Sequence, residues 1–227
     1  MPPEFLRGAW LVAQKDLAIE FRTRSAFFSA LVFSLLAIVV FFFAWDPTAV
    51  ASIDLAPGVL WVIFIFSGLL GLNRSFGVEL QDRALDALLV APISRESIFA
   101  GKALANLVFV AGIQLLSIPA VFLVYNLALG PELLIVLGLA LLAAIGLVAV
   151  GTLFSAMVSN TRLAELLLPM LALPFFVPIV LAAAQTSSKV ITGRPVSESM
   201  AWLQMLVAFD IVFVFACTVA FPYTLEE

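Results

Sequence analysis

Histidine is absent from this chain, and cysteine occurs once, as Cys217. Without histidine the chain lacks the commonest metal and haem ligand and the usual general base. A single cysteine excludes an internal disulfide and any CxxC chemistry. Charge is scarce as well: 11% of the 227 residues are Asp, Glu, Lys or Arg, where a soluble globular domain carries about 25%. No GxxxxGK[ST] loop is present, so the chain has no phosphate-binding loop for hydrolysing ATP by itself. No GxSxG elbow occurs, and there is no histidine to pair with a serine. The net charge of -4 is modest and dispersed, which gives no nucleic-acid footprint. These absences argue against an enzyme.

What the chain has is hydrocarbon. Hydrophobic residues make up 64%, and the mean hydropathy is +1.19. This is the composition of a polytopic membrane protein. Apolar runs predict six spans, at about 26–45, 55–72, 103–125, 133–157, 163–184 and 201–221. Residues 1–227 read as one transmembrane domain, all-α, with no long linker, separate soluble domain or strong internal repeat. No cleavable signal peptide is evident, and the first apolar run is long enough to remain as a span. Residues 4–24 precede it. Leu6, Trp10, Ala13, Leu17 and Phe21 make a stripe at helical spacing, with Glu20 at its edge. The pattern predicts an interfacial helix with Trp10 at the boundary; a flexible basic tail is the alternative.

Individual residues mark the spans. Asp46-Pro47 ends the first, and Pro57 fits the first turn of the second. Pro119 should kink the third. In the fourth, Gly151 and Ser155 stand four apart and let another helix approach closely. Pro169, Pro174 and Pro178 make a straight fifth span unfavourable, so a broken or re-entrant end is expected there. With the N-terminus in the cytoplasm, nine of the eleven Lys and Arg residues fall inside and only Lys189 and Arg194 outside. That asymmetry orients both termini toward the cytoplasm.

The charged stretch 73–102 lies between two apolar runs. Glu79, Asp82, Arg83 and Asp86 follow i, i+3, i+4, i+7 spacing, with Leu85 and Leu89 opposite. The pattern predicts a short amphipathic cytoplasmic helix, broken at Pro92. Its ionic face meets either water or a partner. Inside the membrane the notable polar residues are Asp210 and Gln114, with Glu165 near a span end. An intramembrane acid is a functional candidate by default. For Asp210 the alternative is an aspartate hydrogen-bonded across helices, or protonated and silent, because no second acid or base is visible at its depth.

The residues Ala56-Pro57-Gly58-Val59-Leu60-Trp61, then Asn73-Arg74-Ser75-Phe76 and its acidic helix, then Leu88 to Lys102, resemble the CcmB family. So do Leu166-Leu167-Leu168-Pro169 through Val177-Pro178, and the basic N-terminal helix leading into Phe27-Phe28. These are the haem exporter B membrane subunits of the cytochrome c maturation ABC transporter. The likeness covers nearly the whole chain and rests on the order and spacing of motifs that are individually weak.

The resemblance implies a type-2 ABC exporter-like membrane domain in the bacterial inner membrane, paired with a second copy of itself. It implies the ATPase subunit CcmA, the haem-handling CcmC and small CcmD, and the periplasmic haem chaperone CcmE as partners. It implies no directly bound cofactor, haem as cargo of the complex, and ATP acting through the partner subunit. The 73–102 stretch would be a coupling segment docked on the ATPase. A generic exporter of lipid, drug or polysaccharide, and a non-transporting assembly scaffold, are the alternatives.

Overall fold

The computed structural model describes residues 3–46, 48, 50–81, 92–159, 161 and 163–225. Among them all regular structure is helical: α1 (Pro3–Thr23), α2 (Ser25–Ala44), α3 (Ser52–Gln81), α4 (Arg95–Val124), α5 (Pro131–Val158), α6 (Ala164–Ile191) and α7 (Met200–Ala220). Single 3₁₀ turns follow α6 (Val196–Ser199) and α7 (Phe221–Leu225). Six of these helices, α2 to α7, are long and apolar enough to cross a membrane.

α5 is the hub. It packs against α3, α4, α6 and α7, and its small residues explain why it can. Gly151 faces the Leu72 side chain so closely that a Cβ there would collide with it. One turn on, Ser155 Oγ donates to the Leu72 carbonyl at 2.9 Å. Gly146 makes the same kind of close approach to α7. α2 is peripheral. Its buried residues are Ala26, Ala30, Ser34 and Ile38, one stripe at four-residue spacing, and most of its remaining residues are apolar and exposed. Trp61, from the APGVLW motif, is fully buried and donates from Nε1 to Ser187 Oγ at 2.8 Å, tying α3 to α6.

Three expectations need correction. α6 is one continuous helix through Pro169, Pro174 and Pro178, with no break or re-entrant end. Leu168, Ala172, Phe176, Ile179 and Ala183 on one face are buried against its neighbours. That packing outweighs the backbone hydrogen bonds the prolines remove, and the loss is spread along the helix. The helix also runs on to Ile191, into residues assigned to an outer loop.

The helices flanking the charged stretch reach further into it than the expected span bounds of 72 and 103: α3 continues to Gln81 and α4 begins at Arg95, while 82–91 lie outside the described residues. The third correction concerns α1, whose apolar residues divide between two sides. Ala9, Val12 and Ala13 are buried against α4, while Leu6, Trp10 and Phe21 are exposed. The second set can still lie in a headgroup layer.

Candidate functional site

The helices alternate, so the bundle has two ends. One carries α1, the end of α3 and the starts of α4 and α6. Ser97 Oγ on the Phe5 carbonyl ties α1 to the start of α4, and Arg95 Nη1 donating to the Pro222 carbonyl at 3.2 Å brings the turn after α7 to the same end. This basic end holds the candidate coupling segment.

Of the six residues in the candidate face, Glu79 falls in the last turns of α3, where only the backbone is described. Asp82, Arg83, Leu85, Asp86 and Leu89 lie outside the described residues. What the structure describes is how the two flanking helices are held. α3 is held at Leu72 by Gly151 and Ser155 of α5. α4 starts at a proper N-cap, with Ser94 Oγ accepting from the Ser97 N–H at 3.2 Å. It is then clasped by α1. Ser97 Oγ donates to the Phe5 carbonyl at 3.2 Å, and Gly101 lets α1 approach so closely that a Cβ would lie 2.5 Å from the Ala9 carbonyl oxygen. Phe99 packs on Phe221, ring centroids 5.3 Å apart.

One turn further along α4, Lys102 is fully buried and its Nζ lies 3.2 Å from Asp16 Oδ2 of α1. Asp16 also meets Lys15 at 3.0 Å. Burying a lysine is tolerated only where opposite charge and hydrogen bonds compensate its lost hydration. Sequence reasoning counted Lys102 as one more cytoplasmic cation and did not find this pair. The available signal was Asp16 near the middle of α1 and a lysine directly before an apolar span.

The two intramembrane polar candidates stand apart from this site and from each other. Asp210 of α7 is buried against Gly146, Ile179 and Phe209, and neither carboxyl oxygen has a hydrogen-bond partner among the described residues. Gln114 of α4 is buried beside a groove of about 370 Å³ bordered by Leu137, Gly138 and Leu141 of α5. Its Nε2 likewise has no partner. Nothing brings a second ionisable group to either one among the described residues.

The family model described as "CcmB protein" matches residues 7–227. The chain belongs to the CcmB family. Relatives named "Heme exporter protein B" agree along most of their length. The one from Rhodobacter capsulatus is 29% identical over 200 residues, covering 88% of this chain and 91% of that protein. The one from Paracoccus denitrificans is 32% identical over 190 residues, 83% of this chain and 86% of the relative. The one from Pseudomonas aeruginosa is 26% identical over 199 residues, 87% and 88% respectively. The family match therefore takes in all six candidate spans and the Lys102–Asp16 pair at the basic end.

Proposed function

We propose that this chain is the membrane subunit of an ABC transporter for cytochrome c maturation. In this reading it couples ATP hydrolysis by a separate subunit, CcmA, to haem export or to release of the haem-loaded chaperone CcmE. CcmC, CcmD and a second copy of the chain complete the assembly. The chain works as a type-2 exporter-like domain in the inner membrane, with the basic end and both termini cytoplasmic. The carrying observation is the family match from residue 7 to residue 227.

The physics of the basic end suits a coupling role. A push delivered at residues 82–91 reaches the membrane only if the flanking helices are stiff and tied. α3 and α4 are each continuous for 30 residues, with the anchors at Leu72 and Lys102 set back from the segment. Glu79, Asp82, Arg83 and Asp86 would set register on the ATPase through charge, and Leu85 and Leu89 would seat the segment. The chain binds no cofactor itself in this reading; ATP sits on the partner and haem is cargo. Lacking histidine, it offers haem no usual axial ligand, which favours a motor role over direct ligation. Asp210 and Gln114 take no part in the coupling step.

The test is Asp82→Lys with Asp86→Lys. We expect normal membrane abundance, loss of CcmA in a pull-down and loss of holo-cytochrome c. Like charge set against a complementary patch costs several kcal/mol of association. Normal recovery of CcmA and normal maturation would reduce this face to a solvated surface. Orientation is tested with single cysteines at Ser94 and Ser197, both exposed, against the buried Cys217. Ser197→Cys should label from the periplasmic side and Ser94→Cys should not.

A further inference from the structure

A cleft of about 520 Å³ opens between α1, the start of α2 and the middle of α4, a size usual for a ligand site, roughly 300–1,000 Å³. Its inner wall is aromatic. Phe27 and Phe109 meet edge to face, centroids 6.0 Å apart, over Gly71 and Gly112. Its outer residues Phe28 and Val108 are exposed, so the cleft opens sideways. The mouth is ionic, lined by Glu20 and Arg24.

These two residues have opposite charge and i,i+4 spacing, yet they do not pair. Arg24 adopts a left-handed conformation, φ 55, between α1 and α2. Its Nε donates to the Phe21 carbonyl at 3.0 Å, and its Nη groups have no partner among the described residues. Glu20 Oε1 accepts the Phe27 N–H at 3.0 Å, while Oε2 has no partner among them. The third charge at the mouth, Asp16, is already engaged by Lys15 and Lys102. The mouth thus presents one guanidinium edge and one carboxylate oxygen, separately, above an aromatic channel at the hydrocarbon boundary.

We propose that this cleft binds one phosphatidylethanolamine-type lipid from the adjoining leaflet. The phosphodiester sits on Arg24, where charge-assisted hydrogen bonds form in pairs. The primary ammonium sits on Glu20, and an acyl chain lies along Phe27 and Phe109. A glycerol headgroup brings no cation for Glu20. A choline headgroup brings a cation with no N–H to donate. A free headgroup forgoes the apolar burial.

The experiment uses the full chain, delipidated in detergent and mixed with phosphatidylethanolamine, phosphatidylglycerol or phosphatidylcholine of identical acyl composition. Retained lipid is read by native mass spectrometry. One phosphatidylethanolamine per chain is expected, favoured about tenfold over the other two, the size of a hydrogen bond to a charged group. Glu20→Gln should remove that preference while still accepting the Phe27 N–H, and Arg24→Gln should lower retention of all three lipids, since each carries the phosphodiester. Val108→Trp, at an exposed position, should block retention without touching the core. A diazirine in the acyl chain should label the peptides holding residues 27–28 and 105–112. Equal retention of the three lipids, unchanged binding in all three variants, or labelling elsewhere would overturn the assignment. So would competition by phosphoethanolamine at the concentration of the lipid, since the channel would then contribute nothing.

Discussion

The two ends of the bundle are closed by different means. At the end away from α1, the chain turns on local chemistry. α4 stops in a Schellman arrangement: Leu127 N–H bonds to the Phe122 carbonyl at 2.8 Å and Asn126 N–H to Leu123 at 3.2 Å, with Asn126 left-handed at φ 54. α6 stops the same way at Gly193, φ 76, with Arg194 N–H on the Lys189 carbonyl at 2.9 Å. Asp46 closes α2 with hydrogen bonds from the Thr48 hydroxyl and N–H, and these hold its carboxyl below the usual carboxylate range. Every one of those bonds joins residues five or fewer apart. The basic end is held by contacts across 83, 86, 92 and 127 residues of chain. A local cap can form helix by helix, and the long-range ties toward that end include the Trp61–Ser187 hydrogen bond and the Trp45–Tyr125 stack. An end tied over long range exists only when the whole bundle is assembled.

That contrast predicts where substitutions will hurt. The largest effect belongs to Lys102→Met, which leaves Asp16 half-compensated by Lys15 alone. Removing one member of a buried pair costs about 3 kcal/mol at the low end of the measured range. Unfolding in graded SDS should show a loss of that order, and a change below about 0.5 kcal/mol, the usual scatter of surface substitutions, would mean that Lys102 is not a clasp. Next comes Gly101→Val, which forces α1 off α4 at Ala9 and Val12. Overpacking of this kind costs about 1–3 kcal/mol, and a cysteine cross-link between α1 and α4 should fall with it. An unchanged cross-link yield would contradict the close approach.

At the opposite end the effects shrink. Trp45 stacks on Tyr125 with centroids 5.9 Å apart. Trp45→Leu should cost about 1 kcal/mol, the worth of an aromatic pair, and leave ATPase pull-down unchanged; a coupling defect there would erase the distinction between the ends. The smallest effect is expected from Tyr125→Phe. The Tyr125 hydroxyl is buried with no partner among the described residues. Removing it should be neutral or slightly stabilising, within about 0.5 kcal/mol. A loss above 1 kcal/mol would show that the hydroxyl has a partner after all.

Composition and run length determined the class and the six candidate spans, while the order and spacing of individual motifs pointed to the family. A span needs about 20 consecutive apolar residues, and that count is written in the order of the chain. Some local signals were legible, Asp46 as the stop of α2 and the Gly151–Ser155 step as a close-packing site. Pro57, in contrast, was expected in the first turn of a span starting near residue 55 and instead lies in the second turn of a helix that starts at Ser52. Where the reading failed, the deciding contacts were remote in sequence. The prolines of α6 were read by their local cost, but burial of the opposite face kept the helix whole. The stripe on α1 was read as one surface, but Gly101 drew Ala9, Val12 and Ala13 onto α4 and left Trp10 outside. Lys102 looked like any basic residue until folding placed Asp16 beside it, and Glu20 looked like a flaw in a stripe until the turn at Arg24 brought the start of α2 against it. Periodicity reports which face of a helix is apolar. Which neighbour covers that face, and which charge is buried with its partner, depends on distances between residues 80 or more apart, and only the assembled bundle sets those.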